Sequence, residues 1–265
     1  MEYWLGYLAL GVAVGFLAGL LGIGGGMLTV PVFVFIFAAQ AFPAEHLMHF
    51  ALGTGMATIV FTSAASLAAH HRRAAVDWAV ARAMAPGIVA GSFGSAFVAA
   101  YVPTRALAAV FAVFLLIASA QMLFPPRLAG ARRLPGRAGL CAAGAAIGAV
   151  SAILAAGGAF LSVPFLTGCK VPLHRAIGTA AANGFPIAVA GALGYVLQGL
   201  RAETPLPAGS LGFVYLPAFF LVVTASVPMA PLGARLAHRM PVRPLRAVFA
   251  ILLALLALRM LASLW

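Results

Sequence analysis

Two short stretches hold the residues best suited to chemistry. Residues 22–31 read GIGGGMLTVP and residues 155–164 read AAGGAFLSVP. Each places adjacent glycines ahead of a hydroxyl residue, Thr29 or Ser162, and then a Val-Pro. Glycine carries no Cβ, so Gly24, Gly25 and Gly26, and likewise Gly157 and Gly158, can leave helical geometry inside an apolar segment. A helix restarting after such a break exposes free N–H groups and the positive end of its dipole. That arrangement can hold an anion stripped of water. The five glycines are therefore candidate anion-binding positions, with Thr29 and Ser162 as extra donors.

A polar set follows each break. In GTGMATIVFTSAAS (53–66), Thr54, Thr58, Thr62 and Ser66 recur every four residues, which on a helix makes one slowly drifting stripe. GTAAANGFP (178–186) is the counterpart. Gly53, Thr54 and Thr58 stand 125 residues before Gly178, Thr179 and Asn183. These six are candidates to line a substrate path. Hydroxyls in membrane helices also join helices or bond their own backbone, which is the plainer reading. His49 and His174 precede the two stripes at equivalent positions. They are the candidates for proton coupling, since histidine titrates near neutral pH; the plainer role is interfacial. Arg82 and Arg175 read as snorkelling cations, with attraction of anions as the sharper alternative.

The elements that position these residues are apolar throughout. Of 265 residues, 64% are hydrophobic and 8% charged, against about 25% charged in a soluble domain. Four acids and 16 Lys/Arg cannot build a water-exposed surface over this length. The composition predicts a polytopic membrane protein. Long runs without period-two alternation predict helices and not a barrel. The runs fall near 5–22, 27–42, 48–69, 78–101, 105–124, 138–156, 159–168, 175–199, 210–234 and 245–264. The second and seventh are short for a span of about 20 residues. The net charge of +12 does not imply nucleic acid, because the basic residues sit in short gaps between apolar runs and form no nucleic-acid motif. Cys141 and Cys169 belong to no CxxC or Cys/His cluster and read as small apolar residues. The start MEYWLGYLALG has an acid and no basic n-region, which predicts no cleaved signal peptide.

The two halves repeat. Gly11, Gly15, Gly24, Gly25 and Pro31 match Gly144, Gly148, Gly157, Gly158 and Pro164, each 133 residues later. Near the ends, PTRALAAVFAVFLL (103–116) matches PVRPLRAVFAILLA (241–254), 138 later. The four-residue glycine spacings Gly11, Gly15, Gly19 and Gly144, Gly148 suit close helix packing. The organisation expected is a first repeat (1–126), a basic cytoplasmic linker (127–137) and a second repeat (138–265). Charge sets their orientation. With a re-entrant or short two-helix hairpin opening each half, one side receives Arg72, Arg73, Arg127, Arg132, Arg133, Arg137, Lys170, Arg235, Arg239 and Arg243. The other receives Arg105, Arg201, Glu2, Glu45 and Glu203. The positive-inside rule then predicts inverted repeats with both termini periplasmic. Short, Gly/Pro-interrupted segments at matching places in inverted halves point to a transporter's binding site.

No Asp or Glu lies deep in an apolar run, which argues against a carboxylate relay or a sodium site built on an acid. No Ser/His/Asp set, HExxH or Walker sequence suggests an enzyme. No metal or organic cofactor is implied. A shortage of buried acids and histidine clusters counts against uptake of nickel or cobalt.

GFLAGLLGIGGGMLTVPVF, GTGMATIVFTSAASLAAHHRRAAVDW and HRAIGTAAANGFPIAVAGALGY resemble the sulfite exporter TauE/SafE family over essentially the whole chain. The resemblance implies a bacterial inner-membrane permease with two related halves that moves small sulfur oxyanions or organosulfonates such as sulfite, thiosulfate or sulfoacetate. It covers Gly24, Gly25, Gly26, Gly53, Thr54, Gly157, Gly158, Gly178 and Thr179 as motif positions. In the second break, Ala155 and Ala159 stand where the first has Gly22 and Gly26, a stiffer turn. The reading is an all-α polytopic transporter, an exporter of a sulfur-containing anion, working by alternating access as its halves rock about a midplane site. An anion channel, an importer, and a membrane enzyme or assembly factor are the alternatives. The expected partners are the anion, the bilayer and, as an open option, further copies of the chain.

Overall fold

The computed structural model describes residues 3–21, 25–124, 133–237 and 242–263. Glu2, Arg127, Arg132 and Arg239 lie outside the described residues, as does much of the linker. Among the described residues ten helices follow in order: α1 (Trp4–Leu21), α2 (Gly26–Ala39), α3 (Leu47–Arg72), α4 (Trp78–Ala100), α5 (Thr104–Leu123), α6 (Arg137–Ile153), α7 (Ala159–Gly168), α8 (Leu173–Gly199), α9 (Leu216–Ala237) and α10 (Val242–Ala262). Among the described residues, α3, α4, α5 and α8 are long and apolar enough to cross a membrane. With 14 and 10 residues, α2 and α7 extend only about 21 and 15 Å at 1.5 Å per residue.

The apolar run 210–234 is helical only from Leu216. It opens as a small antiparallel hairpin, β1 (Ser210–Leu211) against β2 (Val214–Tyr215). Gly209 (φ +84°) and Gly212 (φ +55°) supply its left-handed turns, which only glycine adopts without strain. Hydrophobicity alone does not reveal such a hairpin, because its Leu, Phe and Val continue the apolar run.

Two helix pairs dominate the packing: α1 lies along α9, and α4 along α6. Both are joined by glycines at backbone contact. A Cβ on Gly11 would lie 2.7 Å from the Val222 carbonyl oxygen, and one on Gly15 would overlap that of Ser226. On the other pair, a Cβ on Gly144 would overlap the Met84 carbonyl oxygen, and one on Gly148 would lie 2.5 Å from that of Ile88. The partners, like the glycines, stand at fixed offsets: 133 residues separate the glycines, and 138 separate Met84 from Val222 and Ile88 from Ser226. At the centre, α3 and α8 pack on each other, with just over half of each buried. Helix α2 leans on α3, α7 on α8, and α5 pairs with α10.

Polar contacts mark the two ends of the bundle. At one end the Thr104 hydroxyl donates to the Glu45 carbonyl, and the Thr204 hydroxyl donates to Glu45 Oε1 (2.7 Å). The starts of α3 and α5 therefore meet the segment that follows α8. At the other end the Asp77 N–H donates to Thr179 Oγ1 (3.0 Å), joining the start of α4 to the first turns of α8. Arg72 and Arg73 close α3 there, and Lys170 precedes α8. An aromatic cluster of Tyr7, Phe33, Phe37, Phe42, Phe50 and Tyr215 fills the Glu45 end, with Phe37 stacked on Phe42 at 4.6 Å. It pins the far end of α2 to the hairpin.

Candidate functional site

Helices α2 and α7 begin unusually. Their N-cap residues, Gly25 and Gly158, are buried and make no side-chain cap. Helix α4 starts with Asp77, whose Oδ1 accepts from the Ala79 and Val80 N–H groups. Helices α5, α6 and α8 start at exposed Pro103, Gly136 and Pro172, where water can satisfy the first-turn donors. Neither remedy serves α2 or α7. The Leu28 N–H turns back to the Gly25 carbonyl (3.2 Å) and the Phe160 N–H to the Gly157 carbonyl (3.4 Å); the other first-turn donors of these two starts have no backbone acceptor among the described residues, and an unpaired buried N–H is costly.

The two breaks touch. A Cβ on Gly26 would overlap the Ala155 carbonyl oxygen and lie 2.6 Å from Ile59 Cδ1 of α3. A Cβ on Gly55 would lie 3.0 Å from Val30 Cγ2 and 3.9 Å from Ala155 Cβ. On the far side of the second break, a Cβ on Gly158 would lie 3.1 Å from the Gly184 nitrogen and 3.2 Å from the Ala180 carbonyl of α8. One on Gly184 would meet Gly158 N and Ser63 Cβ of α3, each at 3.6 Å. The starts of α2 and α7 therefore converge on one buried centre floored by α3 and α8. Gly157 is buried beside Gly158; Gly24 lies outside the described residues.

Gly25, Gly26 and Gly158 act there by permitting close approach and not by turning left-handed. Gly25 and Gly158 have helical dihedrals (φ −71° and −49°). The left-handed residue is Ala155, at φ +40°. It ends α6 in a helix-stop turn, with the Ala156 N–H donating to the Ser151 carbonyl at 2.9 Å. Glycine is the usual residue at that position, since an alanine there carries Cβ strain.

The hydroxyl candidates separate into three behaviours. Thr29 Oγ1 donates to the Gly25 carbonyl (2.7 Å) and Thr58 Oγ1 to the Gly55 carbonyl (2.7 Å), so both serve their own helix. Thr54 Oγ1 accepts from the Tyr215 N–H (3.0 Å), and Thr179 Oγ1 accepts from the Asp77 N–H (3.0 Å). Each ties the entry of a long helix, α9 or α4, to the central pair. The preceding glycines complete these joints: a Cβ on Gly53 would overlap the Phe213 carbonyl oxygen, and one on Gly178 that of Ala75. Ser162 differs from all of these. Its Oγ is fully buried and has no hydrogen-bond partner among the described residues. Asn183, also buried, reaches only Met84 Sδ, at 3.5 Å.

The two histidines part company. His49 is 2% exposed, with Nε2 3.0 Å from the Ala99 carbonyl and a buried, unpartnered Nδ1. His174 is exposed at the other end. His46, which repeat matching does not single out, packs against His49 with ring centroids 5.4 Å apart and reaches Thr204. Three further buried hydroxyls have no partner among the described residues, on Ser92, Ser151 and Ser210; the first two also escape a repeat search, since their counterparts are Ala230 and Ala18.

A family model described as sulfite exporter TauE/SafE matches residues 7–260. A "Probable membrane transporter protein" of Haemophilus influenzae is 31% identical over 255 residues, covering 96% of each chain. A protein of the same description from Methanocaldococcus jannaschii is 24% identical over 258 residues, 95% of this chain and 92% of that one. One from Bacillus subtilis is 30% identical over 117 residues, 44% of this chain and 40% of its own. No solved structure matches the chain.

Proposed function

This chain belongs to the sulfite exporter TauE/SafE family of membrane transporters, and from that premise we propose that it exports a small sulfur-containing anion across the bacterial inner membrane. The observation that carries the proposal is the meeting of two buried, uncapped helix starts at Gly25 and Gly158, with the two breaks in contact through Gly26 and Ala155. The first-turn N–H groups left over once Leu28 and Phe160 have donated to Gly25 and Gly157 are the donors for the anion, and the dipoles favour negative charge. Ser162 adds a buried hydroxyl with no partner among the described residues. These donors are neutral, so they can release the ion again; a buried arginine pair would hold it more tightly.

The cycle is alternating access around this centre. The contact between the breaks belongs to a closed arrangement, and admitting an anion requires them to part. Two inverted repeats account for the matched offsets of glycines and carbonyl partners, and for the acidic and arginine-rich ends of the bundle. On that reading both termini are periplasmic, and His49 is the proton-coupling candidate that the interior encloses.

The test is flux in proteoliposomes for sulfite, thiosulfate, sulfoacetate, sulfate and acetate, with and without a pH gradient. Saturable, counterflow-competent movement of one or more sulfur anions is expected. Movement without saturation or counterflow would identify a channel instead. If none of the five moves through folded, correctly oriented protein, the assignment fails.

A further inference from the structure

We propose that the cleft between the first turns of α4 and α6 binds an anionic phospholipid, its phosphate between Arg82 and Arg137 and an acyl chain along the apolar walls. This cleft, about 860 Å³, lies apart from the glycine breaks. Val80, Ala83, Pro86 and Leu140 supply its walls, and the two guanidiniums are its charged groups; no acid lines it. The one close contact between a basic and an acidic side chain among the described residues is His46 with Glu45 at the other end of the bundle, so neither arginine is neutralised. Both arginines are exposed.

Position decides what the cleft meets. Arg82 is the fifth residue of α4, about 6 Å along the axis from the helix start. Trp78, one turn earlier, is 38% exposed, and the Arg82 guanidinium sits 5.9 Å from its ring. Exposed tryptophan beside arginine marks the headgroup level of a bilayer. Cationic pockets between helix ends at that level suit acidic lipid headgroups. Arg82 also points away from the proposed path. Met84, two positions on and so on roughly the opposite face of the helix, is the α4 residue that touches Asn183. A soluble anion bound for the centre gains nothing from Arg82, whereas a lipid phosphate with a chain below it uses both the charge and the walls.

The inference stands independently of the substrate. The test is native mass spectrometry and detergent-phase thermal melts with added phosphatidylglycerol, phosphatidylcholine or glycerophosphate. Phosphatidylglycerol should be retained and should raise the melting temperature. Phosphatidylcholine should do so at least about 10-fold less effectively, the equivalent of about 1.4 kcal/mol. Arg82→Gln with Arg137→Gln should remove the preference, the paired Lys variants should keep most of it, and Arg105→Gln at the opposite end should leave it intact. Equal retention of both lipids, an unchanged preference in the double Gln variant, or full competition by glycerophosphate would each overturn the proposal.

Discussion

Replacing Gly26 with alanine is the most direct probe of the central contact. The new Cβ would lie 2.6 Å from Ile59 Cδ1 and 3.1 Å from the Ala155 carbonyl carbon, with the oxygen nearer still. Ile59 ends in a flexible methyl and can swing away. Ala155 cannot, because the obstacle is backbone already held in the left-handed region at φ +40°. The two breaks must therefore separate by roughly 1 Å, a displacement that can cost a site about 100-fold. Overpacking of this kind costs about 1–3 kcal/mol, and it falls on the arrangement in which the breaks touch. If transport passes through that arrangement, the population able to complete a cycle drops by about 5- to 150-fold. The assay is the initial rate of anion flux in proteoliposomes at saturating substrate, with a thermal melt on the same preparation. Two controls calibrate it. A Cβ on Gly55 presses only on the side-chain methyl Val30 Cγ2, at 3.0 Å, with Ala155 Cβ at an ordinary 3.9 Å, and one on Gly94 meets nothing within 4 Å, so both alanine variants should retain most of the flux. A folded Gly26→Ala protein as fast as Gly55→Ala would refute the claim that close approach of the breaks matters to the cycle.

Two other predictions concern the joints and the orientation. Thr54→Val and Thr179→Val each leave a helix-entry N–H without its acceptor, and each should lower stability by about 1–3 kcal/mol in a melt; the Ser variants, which keep the oxygen, should stay near wild type. If only one Val variant matters, the two joints are not equivalent. Reporter fusions within residues 41–47 and 169–173 should read opposite sides of the membrane, since the first segment lies with Glu45 and the second beside the start of α8; matching signals would rule out the inverted arrangement.

The sequence disclosed much of the helical layout because each element is a long apolar run bounded by charge, Gly or Pro. It did not disclose what holds those runs together. Thr54 and Thr179 were visible as a matched pair, yet a four-residue stripe does not tell a path-lining hydroxyl from one that accepts a neighbour's N–H. That depends on Tyr215 and Asp77, 161 and 102 residues away. Gly26 and Gly158 read as places where the chain can bend, but the structure uses them where backbone meets backbone, and Ala155 takes the left-handed turn. Composition could not foresee this, because a close contact is a property of two segments. Ser92 and Ser151 stayed hidden for the opposite reason: their repeat partners are alanines, so no duplication drew notice to them.

The packing also restricts which bodies can move. If the two chain halves rocked as rigid units, α1 would slide on α9 and α6 on α4, because each pair joins one helix from each half. Those are the interfaces where Gly11, Gly15, Gly144 and Gly148 bring backbones into contact, and interfaces packed at that density deform in discrete steps and not smoothly. Under the alternating-access proposal, the expected rigid bodies are the glycine-fastened pairs, each drawn from both halves, with the breaks parting as one mixed unit moves against the other across α3 and α8. A cross-link separates the two schemes. In a background with Cys141 and Cys169 replaced by alanine, a cysteine pair is placed across α1 and α9 away from the glycine contacts, at positions whose Cβ atoms stand about 3.5–4.5 Å apart, because a Cβ on Gly11 would already lie 2.7 Å from the Val222 carbonyl oxygen. Oxidising that pair should leave flux within about twofold of the reduced protein, since a motion that keeps α1 and α9 together meets no barrier from a bond between them. Flux abolished on oxidation and restored by reductant would show that α1 and α9 must separate, and that the chain halves are the moving bodies after all.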